Sequence, residues 1–261
     1  MGTLVRITIY SKDDSPLRAA FQRIAELDEK LSDYQPESEL NRLCRTQNQA
    51  VEVSQDLFRV LEASEKLSRL TDGAFDVSIG PVTHLWRVGK LPDAETMARV
   101  GWRSVVLDKR HRTVTLRLSR MQLDLGAIAK GYAGDQALVT LRALGVTRAL
   151  IAVSGDIVAG DAPPGTRGWR VGLEPAGEEI MLRNGAVSTS GDTEQSRKIG
   201  GVRYSHIIDP KSGFGLTSSI AVTVVARRGL DADPIATAVS VMGEQRGRKI
   251  FQKKVRKLIV N

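Results

Sequence analysis

A chain of 261 residues has room for one large domain or two small ones. With 41% hydrophobic and 26% charged residues, and no apolar run long enough to span a bilayer, it reads as a globular body and excludes a membrane-spanning or disordered one. A formal net charge of +8 invites anionic partners, but aromatics are 5% and neither zinc-finger spacing nor an aromatic RNA-binding motif is present, which argues against nucleic acid.

The alternation Val5, Ile7, Ile9 predicts a first strand, and the opening "MGTLVRITIY" reads as strand rather than as the basic head and apolar stretch of a signal peptide. Ser15-Pro16 predicts a helix start with serine as N-cap and proline in the first helical position, followed by an apolar stripe of Leu17, Phe21, Ile24 and Leu31. Ser38 predicts the cap of a short helix in "ESELNRLCR". Ser54 caps a longer one carrying Leu57, Val60, Leu61, Leu67 and Leu70 and closed at Gly73. The only cysteine, Cys44, excludes an intramolecular disulfide and a multi-cysteine zinc site, and reads as a small buried hydrophobe.

Two alternating segments between Arg103 and Leu118 flank "DKRH" and predict a hairpin. "LDLGAIAKGYAGDQALVTLRALG" predicts a short strand, a glycine turn and a helix ending at Gly145. Residues 148–226 read mostly as strands, and a last helix is expected from about Asp233. Strand runs separate from helices make the fold class α+β, a single compact unit over residues 1–261 with a mixed or antiparallel sheet and flanking helices. "AVSGD" at 152–156 is echoed by "STSGD" at 188–192, a match short enough to arise by chance.

Neither a Walker loop nor a dinucleotide fingerprint occurs. "LGAIAKGYAGD" places glycines and a lysine at a turn into a helix, where backbone N–H groups and a cation can meet a phosphate, although such turns are also ordinary structure. Asp233, just before Pro234, reads equally as a helix N-cap or, with Thr237 one turn on, as half of an oxygen site for a hard cation such as Mg²⁺. His206 in "YSHIIDPKSGFG" is either a general base or a sheet histidine making one hydrogen bond; alternation sets Tyr204, His206 and Ile208 on one face. His84 and His111 read as structural or solvated. "DGAFDVSIGP" is a helix-to-strand connection whose amides can approach a ligand.

In order along the chain, "MGTLVRITI", "LSDYQPESELNRL", "GAFDVSIGPVTHLW", "LDLGAIAKGYAGD", "VSTSGD", "YSHIIDPKSG" and "ADPIATAVSVMG" resemble the successive blocks of the ApbE family of FAD-dependent flavin transferases, almost end to end. The resemblance implies a magnesium-dependent enzyme that cleaves the FAD pyrophosphate, joins FMN through a phosphoester to a threonine or serine hydroxyl of an acceptor protein, and releases AMP. It implies Asp233 and Thr237 as side-chain magnesium ligands with the backbone carbonyl of Ala127. Met1, Tyr34, Ala74, Phe75, Asp76, Asp124, Lys130 and Ile207 would hold FAD, and His206 would be the general base. The cleft is then expected where the Gly73–Gly80 loop, the Asp124–Gly131 turn and the His206 strand converge.

Two departures from the family pattern, Pro234 after the metal-binding aspartate and "VSGDI" where "GGD" is common, remove no ligand but bear on affinity for metal and FAD. Family members are often exported lipoproteins, so the resemblance implies an extracytoplasmic, periplasmic site near a membrane through a trimmed N-terminal anchor, with a cytoplasmic form as the alternative. The acceptor it implies is a subunit or domain of a membrane redox complex. Two other readings use the same site: an FAD pyrophosphatase giving FMN and AMP, and a non-catalytic FAD-binding protein. No residue separates the transferase from the hydrolase.

Overall fold

The computed structural model describes residues 3–173, 177–191, 196–199, 201–218 and 220–261. In chain order the elements are β1 (Val5–Ile9), α1 (Ser15–Leu31), α2 (Glu39–Cys44), β2 (Val51–Glu52), α3 (Gln55–Thr71), α4 (Gly80–Arg87), α5 (Ala94–Met97), β3 (Val105–Asp108), β4 (Thr113–Leu116) and α6 (Ala129–Ala143). There follow β5 (Ala149–Val153), β6 (Asp156–Ala159), β7 (Trp169–Leu173), β8 (Glu178–Leu182), β9 (Gly185–Ser190), β10 (Ser196–Ile199), β11 (Val202–Ser205), β12 (Val222–Ala226), α7 (Gly229–Met242), α8 (Glu244–Phe251) and β13 (Lys257–Val260). None of the described helices is long and apolar enough to cross a membrane.

A six-stranded antiparallel sheet, ordered β1-β5-β6-β9-β12-β13, is the frame, with β2-β4-β3 and the hairpins β7-β8 and β10-β11 beside it. Period-2 alternation sends Ala149, Ile151, Val153, Val222, Val224 and Ala226 into the main core under α6 and α7, while Leu150 and Val225 face the β7-β8 hairpin through Trp169, Val171 and Leu182. Covered on both sides, β12 is buried throughout. α7 packs on β9 and β12 beneath it, on α6 beside it and on α3 and α8, which is why almost its whole circumference is apolar. A third cluster, Ile79, Val82, Trp86 and Ile208, joins α4 to the segment after β11.

The local caps at Ser38 and Ser54 form as expected, each serine accepting the N–H three residues on. Several expectations change: the loop after α3 leads into α4 at Gly80 rather than into a strand, and Leu70 of the expected α3 stripe is exposed. α1 starts on Ser15 itself, whose N–H goes back to the Asp13 carboxylate at 2.9 Å, and its buried stripe is Pro16, Ala20, Ile24, Leu27 and Leu31, with Phe21 exposed. Residues 121–125 form no strand, because their N–H groups find loop partners instead: Asp124 donates to the Val77 carbonyl at 2.8 Å and Leu123 to the Cys44 sulfur at 3.3 Å. α7 begins at Gly229, four residues before Asp233, since the Asp135 carboxylate of α6 accepts the Gly229 and Leu230 N–H groups at 2.8 and 2.9 Å and so caps the helix from another element. Asp233 is therefore a residue inside α7 and not its cap.

Candidate active site

The segment "AKGYAGD" owes its composition to what each residue meets. A Cβ on Gly131 would lie 2.2 Å from the Gly229 carbonyl oxygen, and one on Gly229 would lie 2.2 Å from that of Gly131, so α6 and α7 cross backbone to backbone at this pair. Gly134 lets α6 down onto Val158 of β6, Asp135 caps α7, and the Tyr132 hydroxyl donates to Asp56 at 2.8 Å on the opposite side. Asp56 also holds Arg23 and, at 2.7 Å, Lys30, and these partners outweigh burial to pull its carboxyl down to about 2.

The close crossing brings Lys130 of α6 against Asp233 of α7. The Lys130 ammonium lies 3.4 Å from both Asp233 oxygens, 3.1 Å from Asp156 Oδ2 and 2.9 Å from the Gly126 carbonyl, and the Gly131 N–H donates to Asp233 at 3.2 Å. Asp156, at the start of β6, accepts a hydrogen bond from the Ser188 hydroxyl of β9. Burial works against the Lys130 charge, yet Asp233 and Asp156 hold it above the ordinary lysine range. Burial, reinforced by the Asp156 charge and opposed by Lys130, pushes the Asp233 carboxyl up to about 7. One ammonium thus incompletely offsets two buried carboxylates.

From Gly126 the site runs outward. Asp124 accepts from the Gly126 N–H at 2.8 Å and from Arg87 at 2.9 Å, and Arg87 of α4 also pairs with Asp33. His84 and Arg87 together overcome burial to hold the Asp33 carboxyl below its usual range. The exposed Tyr34 ring lies over the guanidinium, 4.1 Å from centroid to Arg87 Cζ, beside a cleft of about 290 Å³ lined by Asp33, Asn41, His84 and Gln122. Tyr34, Asp124, Lys130 and Asp233 therefore stand along one chain of contacts, linked by Arg87 and Gly126.

Other expected residues lie near it differently. Ala74 and Phe75 are buried, and the Asp76 carboxylate is engaged within its own loop, accepting from the Ser78 N–H and hydroxyl and from the Trp102 N–H at 3.0 Å, with burial raising it above the usual range. That loop meets the Asp124 segment through Val77 and the β11 side through the cluster that Ile79 shares with Ile208. His206 follows the end of β11, exposed between buried Ser205 and Ile207; the Ile207 N–H goes to Ser205 Oγ and its carbonyl accepts from Leu216. Thr237 lies one turn past Asp233 on the same face of α7, half-buried, and its hydroxyl bonds to no described residue. Among the described residues no backbone N–H donates to the Ala127 carbonyl, the Gly131 N–H having turned to Asp233. Met1 lies outside the described residues. The larger groove, about 650 Å³ between α3, α7 and α8, contains none of the expected site residues.

Asp33, Arg87, Asp156 and Ser188 were missed in the sequence. The one available signal was the "AVSGD"/"STSGD" echo, whose members meet at the Ser188–Asp156 bond. Oxygen donors suit a hard cation, but no cluster of three His, Cys, Asp or Glu side chains stands among the described residues, so a Mg²⁺ site here would combine the Asp233 carboxylate, the Thr237 hydroxyl and the Ala127 carbonyl with substrate or water oxygens. The unshared Thr237 hydroxyl and Ala127 carbonyl fit that donor set.

Known proteins resemble this chain in sequence and fold. The model of the ApbE family matches residues 1–259. The FAD:protein FMN transferase of Haemophilus influenzae is 32% identical over 97% of this chain and 82% of its own, and that of Treponema pallidum is 33% identical over 94% and 78%. Among solved structures, a mutant of the flavin transferase ApbE from Vibrio cholerae superposes with a TM-score of 0.88 at 28% identity, covering 100% of this chain and 90% of that one; the apo flavinyl transferase ApbE of Pseudomonas stutzeri gives 0.86 at 28%, covering 100% and 91%. The chain belongs to the ApbE family.

Proposed function

We propose that this protein is an FAD:protein FMN transferase, which moves FMN from FAD to a threonine or serine hydroxyl of an acceptor protein and releases AMP. The relatives' names support the activity, and one observation carries its metal dependence: among the described residues, the four carboxylates Asp33, Asp124, Asp156 and Asp233 meet two permanent cations along the site, Arg87 and Lys130, with His84 beside Asp33, so an anionic pyrophosphate needs an added cation to enter. Mg²⁺, held by Asp233, Thr237 and the Ala127 carbonyl, would supply that charge and polarise the phosphoryl oxygens.

The remaining work falls to the chain. Tyr34, stacked on Arg87 and exposed, offers a face to a flavin or adenine ring, while Ala74, Phe75, Asp76, Asp124 and Ile207 would shape the FAD cleft. Lys130 neutralises phosphate charge. An imidazole nitrogen of His206 takes the proton of the acceptor hydroxyl as its oxygen bonds the FMN phosphorus and the bond from phosphorus to the AMP oxygen breaks. The exposure of His206 leaves room for a protein acceptor to reach it.

Pure protein incubated with FAD, Mg²⁺ and a candidate acceptor domain should give a fluorescent acceptor band with stoichiometric AMP, both lost on chelation. Free FMN and AMP from every acceptor tried would make it the pyrophosphatase; intact bound FAD would make it a carrier. His206→Ala should abolish transfer with FAD binding intact, and transfer at the wild-type rate would remove His206 from catalysis. By resemblance, the acceptor belongs to a membrane redox complex and the enzyme acts outside the cytoplasm; fractionation of cells tests the compartment.

A further inference from the structure

In the proposed function Asp233 serves two cations. As a ligand it must offer its oxygens to a divalent ion, yet here both oxygens lie 3.4 Å from the Lys130 ammonium. Two positive centres do not share that carboxylate readily, since like charges about 4 Å apart repel strongly where water screens them poorly and a divalent ion doubles the effect. The lysine must let go, and an ammonium on a side chain only 29% exposed is released most favourably to another carboxylate.

That partner is already in place. Asp156 Oδ2 is closer to Lys130 than Asp233 is, at 3.1 Å, and the Gly126 carbonyl is closer still, at 2.9 Å. The Ser188 hydroxyl grips the other oxygen, Asp156 Oδ1, and β6 and β9 are adjacent interior strands of the sheet, so this carboxylate has little freedom to follow the ion. We propose that Asp156 is a positioning residue that retains the Lys130 ammonium when a divalent cation takes Asp233, so that lysine and cation exchange on one carboxylate. This inference rests on the metal role of Asp233.

The test is Mn²⁺ binding to the full chain without FAD, read from the loss of the free-ion EPR signal, for wild type, Asp156→Asn, Lys130→Met and the double variant. With no rival for Asp233, Lys130→Met should bind Mn²⁺ more tightly. Asp156→Asn, which leaves Asp233 as the one carboxylate beside Lys130, should bind about tenfold more weakly. In the Lys130→Met background the same Asp156→Asn change should cost much less. If Asp156 instead ligates the ion or merely adds negative charge, its loss costs as much or more without the lysine, and that result overturns the inference alone. Should Asp156→Asn fail to fold, an unchanged or weaker affinity in Lys130→Met overturns it. A wild-type chain that leaves the Mn²⁺ signal untouched overturns the metal role of Asp233 and the exchange with it.

Discussion

Replacing Gly131 by alanine tests whether the crossing of α6 and α7 sets the site. The new Cβ would stand 2.2 Å from the Gly229 carbonyl oxygen and 2.5 Å from its carbon, where ordinary contact begins at 3.4 Å, so the helices must part by about 1 Å. Overpacking of this kind costs about 2–3 kcal/mol. Alanine returns about 1 kcal/mol of helix propensity, which leaves a net loss of about 1–2 kcal/mol. Gly134→Ala gains the same propensity but meets a side chain, Val158 Cγ2 at 2.8 Å, which can shift, so its net effect should be near zero. Parting the helices would also lengthen the Gly131–Asp233 contact and draw Asp233 of α7 away from the Ala127 carbonyl before α6, which should weaken Mn²⁺ binding in Gly131→Ala alone. Urea unfolding and Mn²⁺ titration of both variants read these effects. A Gly131→Ala protein as stable as wild type would refute the reasoning.

Asp56→Asn should lose about 2 kcal/mol of stability at neutral pH, because a carboxyl held at about 2 when folded and near 3.8 unfolded contributes fully above 3.8; the gap to wild type should close as pH falls toward 2, measured by denaturant unfolding. Asp135 has the opposite sign. Burial pushes its carboxyl up to about 6, so its contribution declines as pH rises from about 4 through 6, and the stability advantage of wild type over Asp135→Asn should shrink across that interval. Tyr34→Ala, at an exposed position, should leave stability within about 0.5 kcal/mol. Loss of a stacking face should nonetheless weaken FAD binding by about 1–3 kcal/mol, read by fluorescence titration.

What could be read from the sequence was local. Ser38 and Ser54 reach N–H groups three residues away, and β1 alternates because one of its faces is half-buried against the core and the other is exposed. The start of α7 could not be read, since its cap comes from Asp135, 94 residues earlier, and nothing near Asp233 announces that Gly229 opens the helix. Residues 121–125 had the composition of a strand but their partners are Val77 and Cys44. In the site, Lys130, Asp124 and Asp233 were visible because they sit in dense motifs. Arg87 and Asp33 were not, because an ion pair between α4 and the end of α1 leaves no pattern in either segment.

The sheet order has a bearing on biosynthesis. β1 finds its partner only at β5, Val5 opposite Val153, and β12 is flanked on its outer side by β13, Val222 opposite Val260. Asp156 and Ser188 lie on the two interior strands between these late pairings, and Asp233 arrives on a helix that emerges after β12. A nascent chain still lacking α7 holds Lys130 with no Asp233 to meet, so the site cannot first exist until synthesis has passed α7.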